Sequence, residues 1–242
     1  MTAPSGPQLF ARYAYAPNAL GYCGPAEGLA DRTDAEIRVL ARHFTGAWPY
    51  LRVLSALTGI ADPLDPRLVE SYWLGGGLGS GVAPAKFLAE LLAIIAPIVG
   101  GYWEHLTPAL ATEAAPDHNF HVFGIYPWTH LLGRVPADQP IRILDSCRIT
   151  PARVCARDSR TLTVCGKRLG WTGDRLTLSA EDVWTVSVTP GTAVVAADIA
   201  CGDQVALHWD HVCGRLDADA VDRLTAGTAR QLKATNARLT HR

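Results

Sequence analysis

Apolar positions in the first half of the chain recur at the spacing of an α-helix. Thr33 and Glu36 have the spacing of a capping box, in which each side chain bonds the backbone N–H of the other residue, so we expect a helix to begin there. The glycine-rich residues 75–81 interrupt the pattern and predict a flexible connection between helices. Helices are predicted at residues 34–44, 48–60, 66–74 and 84–99.

Residues 107–117 are rich in alanine and proline and predict a loop, whereas residues 118–133 are apolar and aromatic and end in a helical turn at 128–132. On a helix, His118 and His121 would share one face and could bind a metal. The flanking apolar residues favour alternation instead, which would put the two histidines on opposite faces. The second interpretation predicts a loop anchored by aromatic packing.

Beyond residue 140 the chain changes to short stretches of β-branched or alternating residues, separated by turn-forming sequences at 172–174 and 201–203. Strands are predicted at residues 142–144, 148–154, 161–164, 175–178, 184–188, 193–197 and 204–208. One amphipathic helix, with Asp217 as its N-cap, is predicted at residues 218–239. The predicted fold class is therefore α+β: a mainly helical domain over residues 1–140, then a small antiparallel OB-like barrel with a C-terminal helix over residues 141–242.

The composition of the chain argues against several classes of protein. Of the 242 residues, 48% are hydrophobic and 19% are charged, which is enough apolar material for a packed core and argues against disorder. The net charge of −1 lacks the basic surplus of a nucleic-acid binder. The longest apolar stretch, residues 87–101, is too short and too interrupted for a membrane span, and residues 1–20 lack a secretory signal pattern. We therefore expect a cytoplasmic protein whose six cysteines are reduced.

Two stretches of the second half carry candidate chemistry. Residues 147–154 read CRITPARV and residues 202–208 read GDQVALH. Together they resemble the start and the end of the HypC/HybG/HupF chaperones of nickel–iron hydrogenase maturation, with Thr150 as a departure inside the first pattern. The resemblance covers roughly residues 144–236.

This resemblance implies a carrier without turnover of its own. By the match, Cys147 and His208 would hold an iron fragment bearing cyanide and carbonyl ligands. The implied partners are a HypD-like maturation protein and the precursor of the hydrogenase large subunit. A soft thiolate and a neutral imidazole suit such an iron. In the family the cysteine is N-terminal, whereas Cys147 lies behind about 140 residues.

The first half suggests a second centre. Cys23 stands before Gly24 and Pro25, where a helix start would lower its pKa and make it a nucleophile, with His118 or His121 as base. The alternative functions are therefore a cysteine-dependent enzyme centred on Cys23, or a non-catalytic interaction adaptor. The aromatic strings of this half are similar to an uncharacterised hydrogenase-associated domain.

Three further expectations concern placement. Cys147 should open the first barrel strand and His208 close the last, so that antiparallel pairing brings them to one end of the sheet. The aromatic segments 22–25 and 118–128 should pack together and form a surface or pocket. The remaining cysteines, at 155, 165, 201 and 213, should be small core residues.

Overall fold

The computed structural model describes residues 3–97, 106–189 and 195–240. Helices make up most of the first 147 residues, a sheet follows, and a long helix comes last. The α-helices are α1 Gly6–Ala19, α2 Asp34–Ala41, α3 Ala47–Thr58, α4 Pro66–Leu74, α5 Pro84–Ile95, α6 His118–Phe120, α7 Trp128–Leu131, α8 Asp138–Cys147 and α9 Ala218–Thr240. The strands are β1 Thr150–Arg157, β2 Thr161–Trp171, β3 Leu176–Ser187, β4 Gln204–His208 and β5 His211–Leu216.

The predicted helices form, and local signals set their starts. The helix predicted at 84–99 ends at Ile95, and residues 98 and 99 lie outside the described residues. Thr33 and Glu36 make the complete capping box at the start of α2, and α4 spans the predicted residues 66–74. Two short 3-10 helices, Gly77–Gly81 and Pro108–Thr112, occupy stretches predicted as connections. Asp217 caps α9 as expected, because its carboxylate accepts a 2.7 Å hydrogen bond from the Ala220 N–H.

Helix α1 was not among the predicted elements. Its first turn carries Pro7, and the Ser5 hydroxyl accepts a 3.3 Å hydrogen bond from the Gln8 N–H. Ser followed by Pro near the first helical position is a recognised start signal. The helical period of α1 was not recognised in the sequence, because the buried side of this helix combines Phe10 and Tyr13 with alanines.

The five strands form one antiparallel sheet in the order β3-β2-β1-β4-β5. Over the described residues this sheet is open, with β3 and β5 at its edges, so the predicted barrel closure is not seen. The two strands predicted at 175–178 and 184–188 are parts of one strand, β3, which pairs with β2 along its length. Residues 193 and 194 of another predicted strand lie outside the described residues, and residues 195–197 form a helical turn rather than a strand.

The strand predicted at residues 142–144 is wrong, because these residues belong to helix α8. Ile143, Leu144 and Cys147 are buried along one side of that helix. Two neighbouring apolar residues, Ile143 and Leu144, are too few to distinguish helical from strand periodicity. Cys147 therefore ends a helix, and β1 begins only at Thr150.

The main core is built from both segments of the chain. Phe10, Leu51 and Leu68 belong to the same buried cluster as Ile149 and Leu224. In addition, the buried carboxylate of Glu113 accepts hydrogen bonds from three side chains of α9. The donors are Arg238 at 2.5 Å, Gln231 at 3.3 Å and Thr235 at 3.2 Å. The division into units 1–140 and 141–242 stays a prediction, but α9 packs on the first as well as on the sheet.

The cysteines differ from expectation in two places. Cys155 and Cys165 join neighbouring strands β1 and β2 through a disulfide instead of lying reduced in the core. Cys201 is exposed, whereas Cys213 is buried in the main core as predicted. Within the described residues, no helix combines the length and apolar character needed to cross a membrane.

Candidate functional site

Three buried side chains from three different elements meet at the end of β4. They are His118 from the start of α6, Cys147 from the end of α8 and His208 from the end of β4, and their ligand atoms all lie within 4.8 Å of one another. We call this set the His–Cys–His cluster. The predicted approach of Cys147 and His208 is therefore present, and His118 joins them from the first segment.

Strand pairing explains why Cys147 meets His208. Thr150 of β1 lies opposite Leu207 of β4, so the end of β4 runs beside the residues that precede β1. The Trp209 N–H also donates a 2.8 Å hydrogen bond to the Ser146 carbonyl, which ties the end of α8 to the turn after β4. The antiparallel pairing of β1 with β4 thus brings Cys147, at the end of α8, next to His208, at the end of β4.

The ring of His208 is oriented as a metal ligand would be. Its Nδ1 lies 2.7 Å from the Tyr13 carbonyl, which can only accept, so Nδ1 carries the proton. The lone pair is then on Nε2, which is buried and has no hydrogen-bond partner among the described residues. Metal-binding histidines characteristically donate their second N–H to a carbonyl or carboxylate in this way.

The ring of His118 is held at both nitrogens. Its Nε2 donates to the Cys147 carbonyl at 2.8 Å, so its Nδ1 accepts from the Tyr72 hydroxyl at 3.1 Å. Asp117 starts α6 by accepting a 3.0 Å hydrogen bond from the Phe120 N–H. To bind a metal, His118 must exchange one of its two hydrogen bonds for the metal bond.

Burial keeps the cluster uncharged without a metal. Burial lowers the pKa of His208 to about 4. It also lowers the pKa of His118 well below its ordinary value, and the neighbouring His208 and His121 add to this effect. Burial also raises the pKa of the Cys147 thiol well above its ordinary value, and the nearby Trp209 side chain only partly offsets this. The histidines are therefore ready as neutral ligands, whereas Cys147 must lose a proton when a metal binds.

The cluster lies at the wall of a cavity of about 460 Å³. As predicted, the two aromatic segments meet here, since Tyr22 and Cys23 line the cavity together with His121 and Tyr126. Tyr22 stacks on Trp209 with ring centroids 3.9 Å apart. Both centres suggested by the sequence thus face one shared space.

Cys23 lines the cavity, but its position in the chain and the pKa of its thiol differ from those predicted. It follows the C-terminal end of α1 and does not precede a helix. Two hydrogen bonds from the Asn18 amide, to the carbonyls of Cys23 at 3.0 Å and Pro25 at 2.8 Å, fix its loop. Burial raises the pKa of the Cys23 thiol to about 12 and lowers that of His121 to about 4. A protonated thiol and a weakly basic imidazole do not make an activated nucleophile.

The alternating pattern predicted for His118 and His121 is wrong. The chain is helical through His118–Phe120 and continues as a π-helical turn over His121–Ile125, so the two rings stack with centroids 5.6 Å apart. Only His118 reaches the cluster. In the sequence, the three-residue spacing of His118 and His121 was the signal for a helix that puts both on one face. Asp117, an N-cap residue directly before His118, supports a helix start at that position.

Comparison with known proteins places the whole chain in one family. The matching family model is described as a family of unknown function, DUF6390, and it spans residues 2–242, including both segments and all three cluster residues. No curated protein and no solved structure matches the chain. Since the model covers nearly the full length, the chain belongs to the DUF6390 family.

Proposed function

We propose that this protein binds a transition metal at the His–Cys–His cluster and holds it for transfer, as a carrier in nickel–iron hydrogenase maturation. The observation that supports metal binding most directly is the approach of three buried ligand atoms within 4.8 Å. One thiolate and two imidazoles are borderline-to-soft ligands, suited to iron, zinc or copper and not to magnesium or calcium. Three protein ligands also leave a coordination position open, which suits a cargo that must be passed on.

The hydrogenase part of the proposal rests on the resemblance of two sequence stretches. The first leads from Cys147 into β1 and the second runs through β4 to His208, and these strands pair directly. The two residues that would hold the iron fragment are then the two that face each other. The cargo would be iron with its cyanide and carbonyl ligands, and the partners would be a HypD-like protein and the large-subunit precursor.

The strand order is compatible with an OB-like arrangement. If the edges β3 and β5 closed on each other, the order β3-β2-β1-β4-β5 would become a five-stranded Greek-key barrel. The proposed barrel would carry the site at the end of β4, next to the helical segment. His118 would supply from that segment a third ligand, which neither sequence stretch contains.

Cobalt(II) tests metal binding, because a cobalt–thiolate bond gives a charge-transfer band and cobalt d–d bands report the geometry. We expect one cobalt per chain, bound with release of the Cys147 proton. Cys147→Ser should remove the charge-transfer band, and His208→Gln should weaken binding by more than the roughly 10- to 100-fold typical of losing an outer-shell partner. Cys201→Ser, which changes an exposed free cysteine, is the matched control and should bind as the wild type does. A band that survives in Cys147→Ser would contradict the site.

The biological role needs a second experiment in the host. Cys147→Ser and Cys201→Ser are introduced into the chromosome, and hydrogenase activity and processing of the large-subunit precursor are measured. We expect loss of both in the first strain only. Normal hydrogenase activity in a Cys147→Ser strain, with cobalt binding by the isolated wild-type protein, would mean that the carrier serves another metalloenzyme.

A further inference from the structure

The cavity beside the His–Cys–His cluster is much larger than a single metal ion needs. Its volume is about 460 Å³, whereas one water molecule in the liquid takes about 30 Å³. The wall next to the cluster is aromatic, with Trp73 at 4.7 Å from the His118 ring and 5.6 Å from the His208 ring, between centroids. There is room for a metal together with small ligands that the protein does not supply.

Two hydrogen-bond donors of this wall have no acceptor in the part of the chain that the structure describes. The Tyr50 hydroxyl and the Trp73 indole N–H are buried, belong to side chains that line the cavity, and lack a partner among the described residues. Burial raises the pKa of Tyr50 well above its ordinary value, so its oxygen keeps the proton it can donate. A buried donor without an acceptor is unfavourable, and an acceptor group on a bound ligand would relieve that cost.

The charge around the cavity favours an anion. Two arginines, Arg42 and Arg52, line it from exposed positions, and none of its described lining residues is Asp or Glu. A cleft lined by one sign of charge raises the local concentration of the opposite charge and speeds its entry. A bare divalent cation gains nothing from such an entrance, whereas a metal complex with anionic ligands does.

Resting on the metal site proposed above, we propose that the cavity recognises a metal bearing small anionic ligands, whose acceptor atoms bond to the Tyr50 O–H and the Trp73 N–H. In this arrangement the cluster holds the metal, the anion occupies the open coordination position, and Arg42 and Arg52 attract it at the entrance. The cavity therefore selects the ligands of the cargo, while the cluster selects the metal.

The experiment titrates azide, a small anion with acceptor ends, into the cobalt-loaded protein and follows the cobalt d–d bands. We expect Tyr50→Phe and Trp73→Phe each to weaken azide binding roughly tenfold or more, the usual effect of removing a hydrogen bond to a charged group. Cobalt affinity should stay at the wild-type value in Tyr50→Phe, since the Tyr50 ring does not contact the rings of His118 and His208 among the ring contacts of the described residues. Tyr15→Phe and Trp171→Phe, which change the same residue types outside the cavity, are the controls. Circular dichroism confirms that each variant is folded.

A second arm tests the entrance. Arg42→Gln with Arg52→Gln should slow azide association at low salt and leave its dissociation rate unchanged, because the guanidinium groups act by long-range attraction. Equal azide affinity in the wild type, Tyr50→Phe and Trp73→Phe, with cobalt still bound, would overturn the anion site and leave the metal site standing. Failure of the wild type to bind cobalt would overturn both.

Discussion

Acid should destabilise the metal-free protein strongly, because His118, His121 and His208 are buried without charge. Burial lowers the pKa of His121 and of His208 from 6.5 to about 4, and lowers that of His118 in the same direction. The unfolded chain takes up protons at the higher pKa, so each histidine favours unfolding once the pH falls below 6.5. The stability they contribute is complete above that pH and is lost progressively as the pH falls towards 4.

The size of the effect follows from the two pKa values. One pKa unit corresponds to about 1.4 kcal/mol. Near pH 5 these histidines are protonated in the unfolded state and neutral in the folded state. His121 and His208 therefore each lower the free energy of unfolding by about 2 kcal/mol relative to neutral pH. Their combined cost of about 4 kcal/mol, before His118 is counted, is a large part of the roughly 5–15 kcal/mol that stabilises a typical domain.

Urea unfolding followed by tryptophan fluorescence, near pH 7 and near pH 5, measures this loss directly. His121→Gln removes one titrating ring and keeps all three residues of the His–Cys–His cluster. The free energy of unfolding that this variant loses between the two pH values should be about 2 kcal/mol smaller than the loss in the wild type. The exposed His43 provides the matched control, and His43→Gln should behave as the wild type does. If the wild type and His121→Gln lose the same free energy, the histidines are not buried uncharged and the electrostatic account of the site is wrong.

Three other substitutions test the framework around the site. Gly24→Ala should destabilise the fold and displace the Cys23 loop, since φ is +80° there and a Cβ would lie 2.4 Å from the Phe44 ring; the thermal midpoint and the rate of thiol labelling measure this. Thr33→Ala should cost about 1 kcal/mol in urea unfolding by removing the N-cap of α2, and an unchanged midpoint would exclude that cap as a stabilising contact. Glu113→Gln should cost about 3 kcal/mol because it leaves Arg238 without its 2.5 Å ion pair; a loss under about 1 kcal/mol would show that the pair does not anchor α9.

Much of the site was predictable, and the reasons are local. Cys147 and His208 could be chosen from the sequence because each stands in a stretch that resembles a known family. The capping residues Thr33 and Asp217 each accept a hydrogen bond from the backbone N–H three positions further along the chain. Such features depend on nearest neighbours along the chain, which the order of residues specifies directly.

The rest was decided by contacts between distant residues. The two apolar residues Ile143 and Leu144 could not reveal that 142–144 is helical, because burial against the rest of the fold decides between a helical and a strand period. His118 joins Cys147 and His208 only because the chain brings α6 against the end of α8, 29 residues away. The free nitrogen of His208 is fixed by a carbonyl 195 residues distant, at Tyr13. By itself, the sequence determined most elements and two of the three cluster residues. The third ligand, the protonation of the rings and the shared cavity were set only by the tertiary structure, because each depends on long-range packing that excludes water.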